Sequence, residues 1–346
     1  MSDKTIKFRK APGKILVIKP SSLGDVVLSL PFLNALKYRF PKSEIHWVIA
    51  KGLEGLLEGH PMIDRLWIIK KDEWKKIKNV KSTVEELRSL FKSLKKEKLD
   101  LVVDLQGLLR SGILAAAAGA PVRVGFKEAR EGSRLFYTHK ITGGKERHAV
   151  DRYLEIARFL GCDISEVKFP FPLSFSSQLS AVSSQLPREY AVIVPGARWE
   201  TKRWPPEKFG ELTSELLVMS LVVGGKSDVG IADRVVDSSK GKAISLAGKT
   251  SIKEMIEIIR NASFVVTNDS GPMHIAAALG VPVFAIFGPT NPLRTGPYGE
   301  GHTIIRKAIK CSPCYKKTCK NAKCMDMIGA EMVTSIIRQQ TSLIRC

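Results

Sequence analysis

Short apolar, β-branched runs alternate with helical patterns along this chain, and the alternation runs once, breaks and starts again. Few architectures admit that rhythm, because a parallel strand is reached only through a crossover, usually a helix. In the first half the runs predict strands at Lys14–Lys19, Glu44–Ala50, Arg65–Lys70, Leu99–Leu105 and Val122–Phe126. Helices are expected near Val26–Arg39, Thr83–Lys98, Leu108–Ala118 and Ala149–Leu160. The break is PFPLSFSSQLSAVSSQLP (Pro170–Pro187), an uncharged stretch rich in Ser and Pro that reads as a linker. The pattern then restarts with strands at Tyr190–Val194, Met219–Val223, Ala243–Leu246, Phe264–Thr267 and Val283–Phe287. Its helices fall near Pro206–Leu216, Val229–Ser238, Ile252–Asn261 and Pro272–Leu279.

The expected fold class is therefore α/β with two Rossmann-like domains, residues 1–172 and 189–346, joined by a linker at 173–188. A chain of 346 residues is too long for one ordinary core and suits two. Open parallel sheets bind ligands beyond their strand C-termini, so a cleft between the two domains is the expected site.

Charge narrows the partners. The formal net charge of +21 favours an anionic one: nucleic acid, a phospholipid surface, or a phosphorylated or acidic glycan. No apolar run reaches the ~18 residues of a membrane-spanning helix. The start, MSDKTIKFRKAPGK, lacks the apolar core of a secretory signal, so a cytoplasmic location is expected. There stable disulfides are unexpected. Four of the six cysteines cluster as Cys311-x2-Cys314-x4-Cys319-x4-Cys324. This is not the usual paired-knuckle spacing, so reduced or structural thiols are the first reading and a structural zinc the second.

Three strand-to-helix loops carry chemistry. In KILVIKPSSLGDVVLSLP, the small residues Ser21, Ser22 and Gly24 let a ligand approach the backbone, and Asp25 stands at the helix start. Asp25 either caps that helix or takes a proton from an incoming hydroxyl. In VIVPGARWETKRWPPEKF, Lys202 follows a Pro-Gly turn; it is either a solvated cation or a ligand for a departing diphosphate. In FVVTNDSGPMHIAAALG, Asp269, Ser270 and Gly271 make a tight loop, and Pro272 suits the first helical position. Small side chains and free N–H groups there form an anion cradle. His274 is either a buried, satisfied histidine or a ligand contact. Asp228, beyond Gly224-Gly225, is a candidate for ribose hydroxyls. The GxxxxGK[ST] phosphate loop is absent, and so is any Asp-x-Asp pair of the kind that holds Mg²⁺ or Mn²⁺ in many sugar transferases.

Taken together these segments resemble glycosyltransferase family 9, the bacterial lipopolysaccharide heptosyltransferases. KPSSLGDVVLSLP resembles the family's acceptor-side loop, and DLQGLLRSG (Asp104–Gly112) its D-x-QG-x2-(K/R)-S segment. PGA…KRWP and TNDSGPMHIAAALG…FGPTNP resemble its donor-site loops. The SSLGD, Ile45–Trp74 and KEARE…LFY stretches look like heptosyltransferase I, which adds the first heptose to Kdo₂-lipid A. The donor loops and the cysteine cluster look like heptosyltransferase II. The N-terminal half should govern acceptor choice, which favours type I.

The resemblance implies a GT-B fold and inverting, metal-independent transfer of heptose from ADP-L-glycero-D-manno-heptose to the Kdo/heptose inner core. No cofactor is required beyond the donor, and no nucleic acid is bound. By matched position Asp25 is the catalytic base and Lys202 the pyrophosphate ligand. Asp228, Asp269, Ser270, Gly271, Met273 and His274 serve the donor; Lys19, Ser22, Gly24, Gln106, Arg110 and Arg130 serve the acceptor, Arg130 meeting the acidic Kdo.

The basic stretch Arg65–Lys98, with Trp67 and Trp74, reads either as a solvated, lysine-rich surface helix or as a patch that docks on the anionic inner membrane face. Two other readings fit parts of the pattern: a GT-B sugar-nucleotide epimerase, and a basic, zinc-containing nucleic-acid binder.

Overall fold

Each half of the chain builds one six-stranded, all-parallel sheet in the computed structural model, which describes residues 5–72, 80–172 and 186–341. In unit 1 the strands are β1 (Lys14–Ile18), β2 (Glu44–Ala50), β3 (Arg65–Ile69), β4 (Leu101–Asp104), β5 (Val122–Phe126) and β6 (His139–Ile141). Their order is β3-β2-β1-β4-β5-β6. The helices are α1 (Leu23–Val27), α2 (Leu30–Arg39), α3 (Val80–Lys96), α4 (Leu109–Ala117) and α5 (Ala149–Phe159).

Unit 2 holds β7 (Tyr190–Val194), β8 (Met219–Val222), β9 (Ala243–Ser245), β10 (Phe264–Asn268), β11 (Val283–Ile286) and β12 (His302–Ile305), ordered β12-β11-β10-β7-β8-β9. Its helices are α6 (Pro206–Ser214), α7 (Val229–Asp237), α8 (Ile252–Arg260), α9 (Gly271–Ala278), α10 (Pro292–Thr295), α11 (Lys323–Asp326) and α12 (Ala330–Arg338). Counted from its own first strand, each sheet reads 3-2-1-4-5-6, the doubly wound order. The order in which strands are added reverses between the first and fourth strands, β1 and β4 in one unit and β7 and β10 in the other. Ligands of such sheets bind beyond the strand ends at that switch point.

The central strands are apolar on both faces because helices cover both sides. YAVIV in β7 is buried throughout, and so are Ile15 to Ile18 in β1. In unit 1, Leu94 of α3 packs with Trp67, Leu114 and Ala118. In unit 2, Trp204 lies edge-on to Phe209, ring centroids 4.7 Å apart, and its Nε1–H donates to the Ile328 carbonyl at 2.8 Å. Ser251 and Glu254 close a reciprocal capping box at the start of α8.

Three expectations need correction. The single helix at Val26–Arg39 is two, α1 and α2. Pro31 has no N–H to continue the ladder, and the Ser29 hydroxyl donates to the Val26 carbonyl at 2.7 Å where the chain breaks. Each sheet has six strands rather than five, the additional ones being β6 and β12 at the edges. Helix α12, also unexpected, buries Val333 and Ile337 in the unit 2 core. Most of the expected linker, residues 173–185, lies outside the described residues.

Candidate active site

In unit 1 the loop after β1 stands at the switch point. Ser22 caps α1, and its backbone N–H and hydroxyl both donate to Asp25 Oδ2, at 3.0 and 2.6 Å. Asp25 is thus the third-residue arm of a capping box rather than the cap itself. Its other oxygen lies 3.8 Å from Lys19 Nζ; the lysine side chain is 4% exposed, the carboxylate 43%. Gly24 is buried in this turn.

Lys19 is a buried cation with three neighbours. Burial alone would push its ammonium down; Asp25, Tyr153 and Asp104 outweigh that and hold it above the ordinary lysine value. Its Nζ is 5.3 Å from the Tyr153 ring centroid. A group so enclosed faces Asp25, not bulk solvent.

Asp104, at the end of β4, has no exposed surface. Its Oδ1 accepts from the backbone N–H groups of Gln106 (2.8 Å) and Gly107 (3.1 Å), and its Oδ2 from the Tyr137 hydroxyl (2.6 Å). Burial pushes both Asp104 and Tyr137 above their usual values. A Cβ on Gly125 would overlap the Tyr137 ring, so glycine there lets the phenol cross β5 to reach Asp104. The acid fixes the Gln106 loop. The side-chain Oε1 of Gln106 is buried and accepts no hydrogen bond. The Arg130 N–H donates to the Gly107 carbonyl at 2.9 Å, which brings Arg130 to the same strand-end loop. Arg110, one residue into α4, is exposed beside it. All six expected acceptor-side residues thus lie beyond the C-terminal ends of β1, β4 and β5, in the loops there or the first turns of α1 and α4.

In unit 2 the two loops at the switch point join directly. Lys202 Nζ lies 2.6 Å from Asp269 Oδ2, the lysine 16% exposed and the carboxylate 5%. The Thr290 hydroxyl donates to the same oxygen at 2.6 Å. The ammonium also lies 4.6 Å from the Trp199 ring centroid. Asn268, just before, ties the loops together: its Oδ1 accepts from the Trp204 N–H (3.0 Å) and its Nδ2 donates to the Pro195 carbonyl (2.8 Å). Ser270 is the N-cap of α9, so Gly271 rather than Pro272 is the first helical residue. The Met273 side chain is fully buried, leaving its backbone as what it offers a ligand; His274 is buried one residue on. Asp228 takes the Gly225 N–H at 2.9 Å, and a Cβ on Gly196 would come within 2.7 Å of its carboxyl carbon. It therefore packs against the turn that leads to Lys202.

The cysteine segment drapes over these loops. The Cys314 and Tyr315 N–H groups donate to the Pro289 carbonyl, at 3.0 and 2.8 Å. Thr201 Oγ1 donates to the Lys316 carbonyl at 2.8 Å. Cys311 and Cys319 are exposed, Cys314 is half-buried and Cys324 buried. Among the described residues no three of the thiols come within 4.8 Å of one another, so they do not form the tight tetrahedron that zinc takes. Burial, and then the neighbouring thiols, push Cys324 up.

Trp67 corrects the expected lipid-docking stretch. It is 8% exposed, its Nε1–H donates to His46 Nδ1 at 3.3 Å, and the Arg65 guanidinium stacks 4.1 Å from its ring centroid. It is core under α3 and does not reach a membrane. Trp74 lies outside the described residues, as do Lys75 and Lys76. Sequence reasoning placed Asp104 in the DLQGLLRSG segment but gave it no role of its own, and gave none to Asn268 or Thr290; an acid closing the apolar run LVVDL was the signal for the first.

Residues 87–325 match the model of glycosyltransferase family 9 (heptosyltransferase). Lipopolysaccharide heptosyltransferase 1 of Pseudomonas aeruginosa is 32% identical over 316 residues, 88% of this chain and 87% of its own. The Escherichia coli K12 protein of the same name is 28% identical over 303 residues, 85% of this chain and 93% of its own. The E. coli heptosyltransferase WaaC solved with ADP superposes at a TM-score of 0.78 and 25% identity, over 95% of this chain and 100% of that one. The same enzyme with ADP-2-deoxy-2-fluoro heptose superposes at 0.76. Two doubly wound units with the GT-B architecture, matched along most of their length, leave one conclusion: this chain is a glycosyltransferase and belongs to family 9, the heptosyltransferases.

Proposed function

We propose that the enzyme transfers heptose from ADP-L-glycero-D-manno-heptose to the Kdo-containing inner core of lipopolysaccharide, with inversion and without a metal ion. The first-heptose reaction, on Kdo₂-lipid A, is the favoured version, carried out at the cytoplasmic face of the inner membrane. The observation that carries this reading is the pair of switch-point loops. One presents a carboxylate backed by a buried ammonium, the other an ammonium backed by a buried carboxylate.

Asp25 acts as general base. Ser22 and Lys19 fix the carboxylate and favour its ionised form, ready to take the proton of the acceptor hydroxyl. Gln106 Oε1, with acceptor capacity unused, receives a sugar hydroxyl, and Arg130 and Arg110 meet the acceptor's carboxylates. As the hydroxyl attacks the anomeric carbon on the face opposite ADP, negative charge grows on the departing diphosphate. Lys202 and the free N–H groups at the start of α9 stabilise it, the part a divalent cation takes elsewhere. Asp228 takes a ribose hydroxyl.

The test is a donor–acceptor matrix with ADP release as readout, run with chelator throughout. Release from ADP-heptose that requires a Kdo₂-lipid A acceptor, survives chelation and gives the inverted anomer in the product supports the proposal. Donor conversion that ignores the acceptor supports the epimerase instead, and dependence on an added divalent ion removes the metal-free step.

A further inference from the structure

We propose that the outer face of α4, together with the 3₁₀ turn Ser133–Phe136 beside it, is a docking surface for an anionic lipid bilayer.

Three large apolar side chains stand in water here: Leu109 (41% exposed) and Ile113 (37%) on α4, and Leu135 (79%) on the turn. Leu109 and Ile113 are four residues apart and share one helix face. The turn lies tight against that helix: a Cβ on Gly112 would come within 2.7 Å of the Phe136 ring and 3.0 Å of Ser133. Glycine at 112 therefore lets the two elements approach, and Leu135 projects from the side away from the contact. A turn that seats Ser133 in the core yet leaves its leucine almost fully exposed is spending apolar surface on something outside the chain.

The rim identifies the partner. Arg110, Arg130 and Arg134 are all exposed around the three apolar residues and form no ion pair among the described residues, while the acid between them, Glu131, accepts the Leu109 N–H at 3.2 Å. Elsewhere in the same unit Arg65, Arg147 and Arg158 are ion-paired with glutamates. Arginine in excess of acid around leucine and isoleucine matches a surface that is anionic at headgroup level and apolar just beneath, Arg110 and Arg130 serving the acceptor's own carboxylates on the proposed function and Arg134 the headgroups around it. The location fits as well. The patch continues directly from the Gln106 loop, to which Arg130 is tied through the Gly107 carbonyl. On the proposed function, on which this clause rests, that loop must receive an acceptor anchored in the bilayer.

The experiment uses the full chain and co-sedimentation with phosphatidylcholine vesicles, with and without phosphatidylglycerol. The wild-type protein is expected to pellet with the phosphatidylglycerol vesicles and to be released by salt. A Leu109→Ser/Ile113→Ser/Leu135→Ser variant is expected to lose about ten-fold or more in partitioning, and Arg134→Glu about five-fold. Both should keep wild-type transfer rates on a deacylated, water-soluble Kdo acceptor while losing rate on vesicle-embedded acceptor. If the triple variant fails to fold, Leu135→Ser alone carries the test, because so exposed a side chain adds little to the core.

Wild-type protein that stays in solution with anionic vesicles overturns the proposal, as do variants that bind undiminished. So does sedimentation velocity showing a dimer that the triple variant dissolves, since the face would then belong to a second copy. Vesicle partitioning is read without any transfer reaction, so failure of the proposed activity and failure of this surface are separable.

Discussion

The two units place a lysine and an aspartate at the same point of the same topology, yet they point the pair in opposite directions. In unit 1 the ammonium of Lys19 is sealed and the Asp25 carboxylate faces out, 3.8 Å apart. In unit 2 the Asp269 carboxylate is sealed and the Lys202 ammonium is the more open partner, 2.6 Å away. On the proposed function the buried member neutralises and aims, and the more open member does chemistry. On that reading one fold yields a base from one copy and an electrophilic clamp from the other, decided by which side chain the loop buries. Substitutions at the outward members should therefore change catalysis in different terms, and substitutions at the inward members should act through their partners.

The largest effect is expected at Asp25. Asp25→Ala should lower kcat by roughly 10²–10⁴-fold, the usual yield of a general base, with ADP affinity unchanged by calorimetry. Near-normal transfer by that variant would remove Asp25 from the role. Lys202→Ala comes next, at roughly 10²–10³-fold in kcat, comparable to losing one strong electrostatic donor. Unlike Asp25→Ala it should also weaken ADP binding, because the diphosphate carries charge before and after reaction. Equal ADP affinity in the two variants would break the distinction between the loops.

Much of this was legible beforehand, and the limits are physical. Strands such as KILVI and YAVIV announce themselves because sheets covered on both faces need continuous apolar runs. The edge strands His139–Ile141 and His302–Ile305 are three and four residues long, too short for any pattern to rise above a loop. Helix α12 is rich in β-branched residues, which favour strands, and it is held by packing of Val333 and Ile337 rather than by propensity. Loops rich in glycine and small residues beside Asp25, Lys202 and Asp269 could be read as ligand-facing. Which member of each charged pair is buried could not, since burial is a property of the folded neighbourhood. Trp67 failed for the same reason: tryptophan among lysines looks like a membrane anchor until β3 places it under α3.

The inward lysine gives the next effect. Lys19→Met removes a positive charge 3.8 Å from Asp25, which also accepts two hydrogen bonds from Ser22 and interacts electrostatically with Tyr153. A nearby cation lowers a carboxylate's pKa, so its loss raises that of Asp25, and the acid limb of the kcat/KM profile moves to higher pH. Asp25 is nearly half exposed, which places the pair close to the water limit of about 1 kcal/mol, or somewhat under one pH unit. Activity at alkaline pH should recover toward wild type. A uniform drop with an unmoved limb would make Lys19 a packing residue only.

The smallest effects come from the hydroxyls that brace the two carboxylates, and here the comparison is at its sharpest. Ser22→Ala removes one of the two hydrogen bonds Ser22 gives to Asp25 and leaves the backbone N–H at 3.0 Å. Water can replace it at an exposed carboxylate, so Tm should hold while kcat falls by about five-fold at most, worth about 1 kcal/mol. Thr290→Ala removes the corresponding hydroxyl from Asp269, which is buried where water does not take its place. About 1–3 kcal/mol of stability should go, lowering the Tm of unit 2 by several degrees, with kcat nearly unchanged because Lys202 still neutralises the acid. If Ser22→Ala instead costs stability and Thr290→Ala costs rate, the assignment of outward and inward members is reversed.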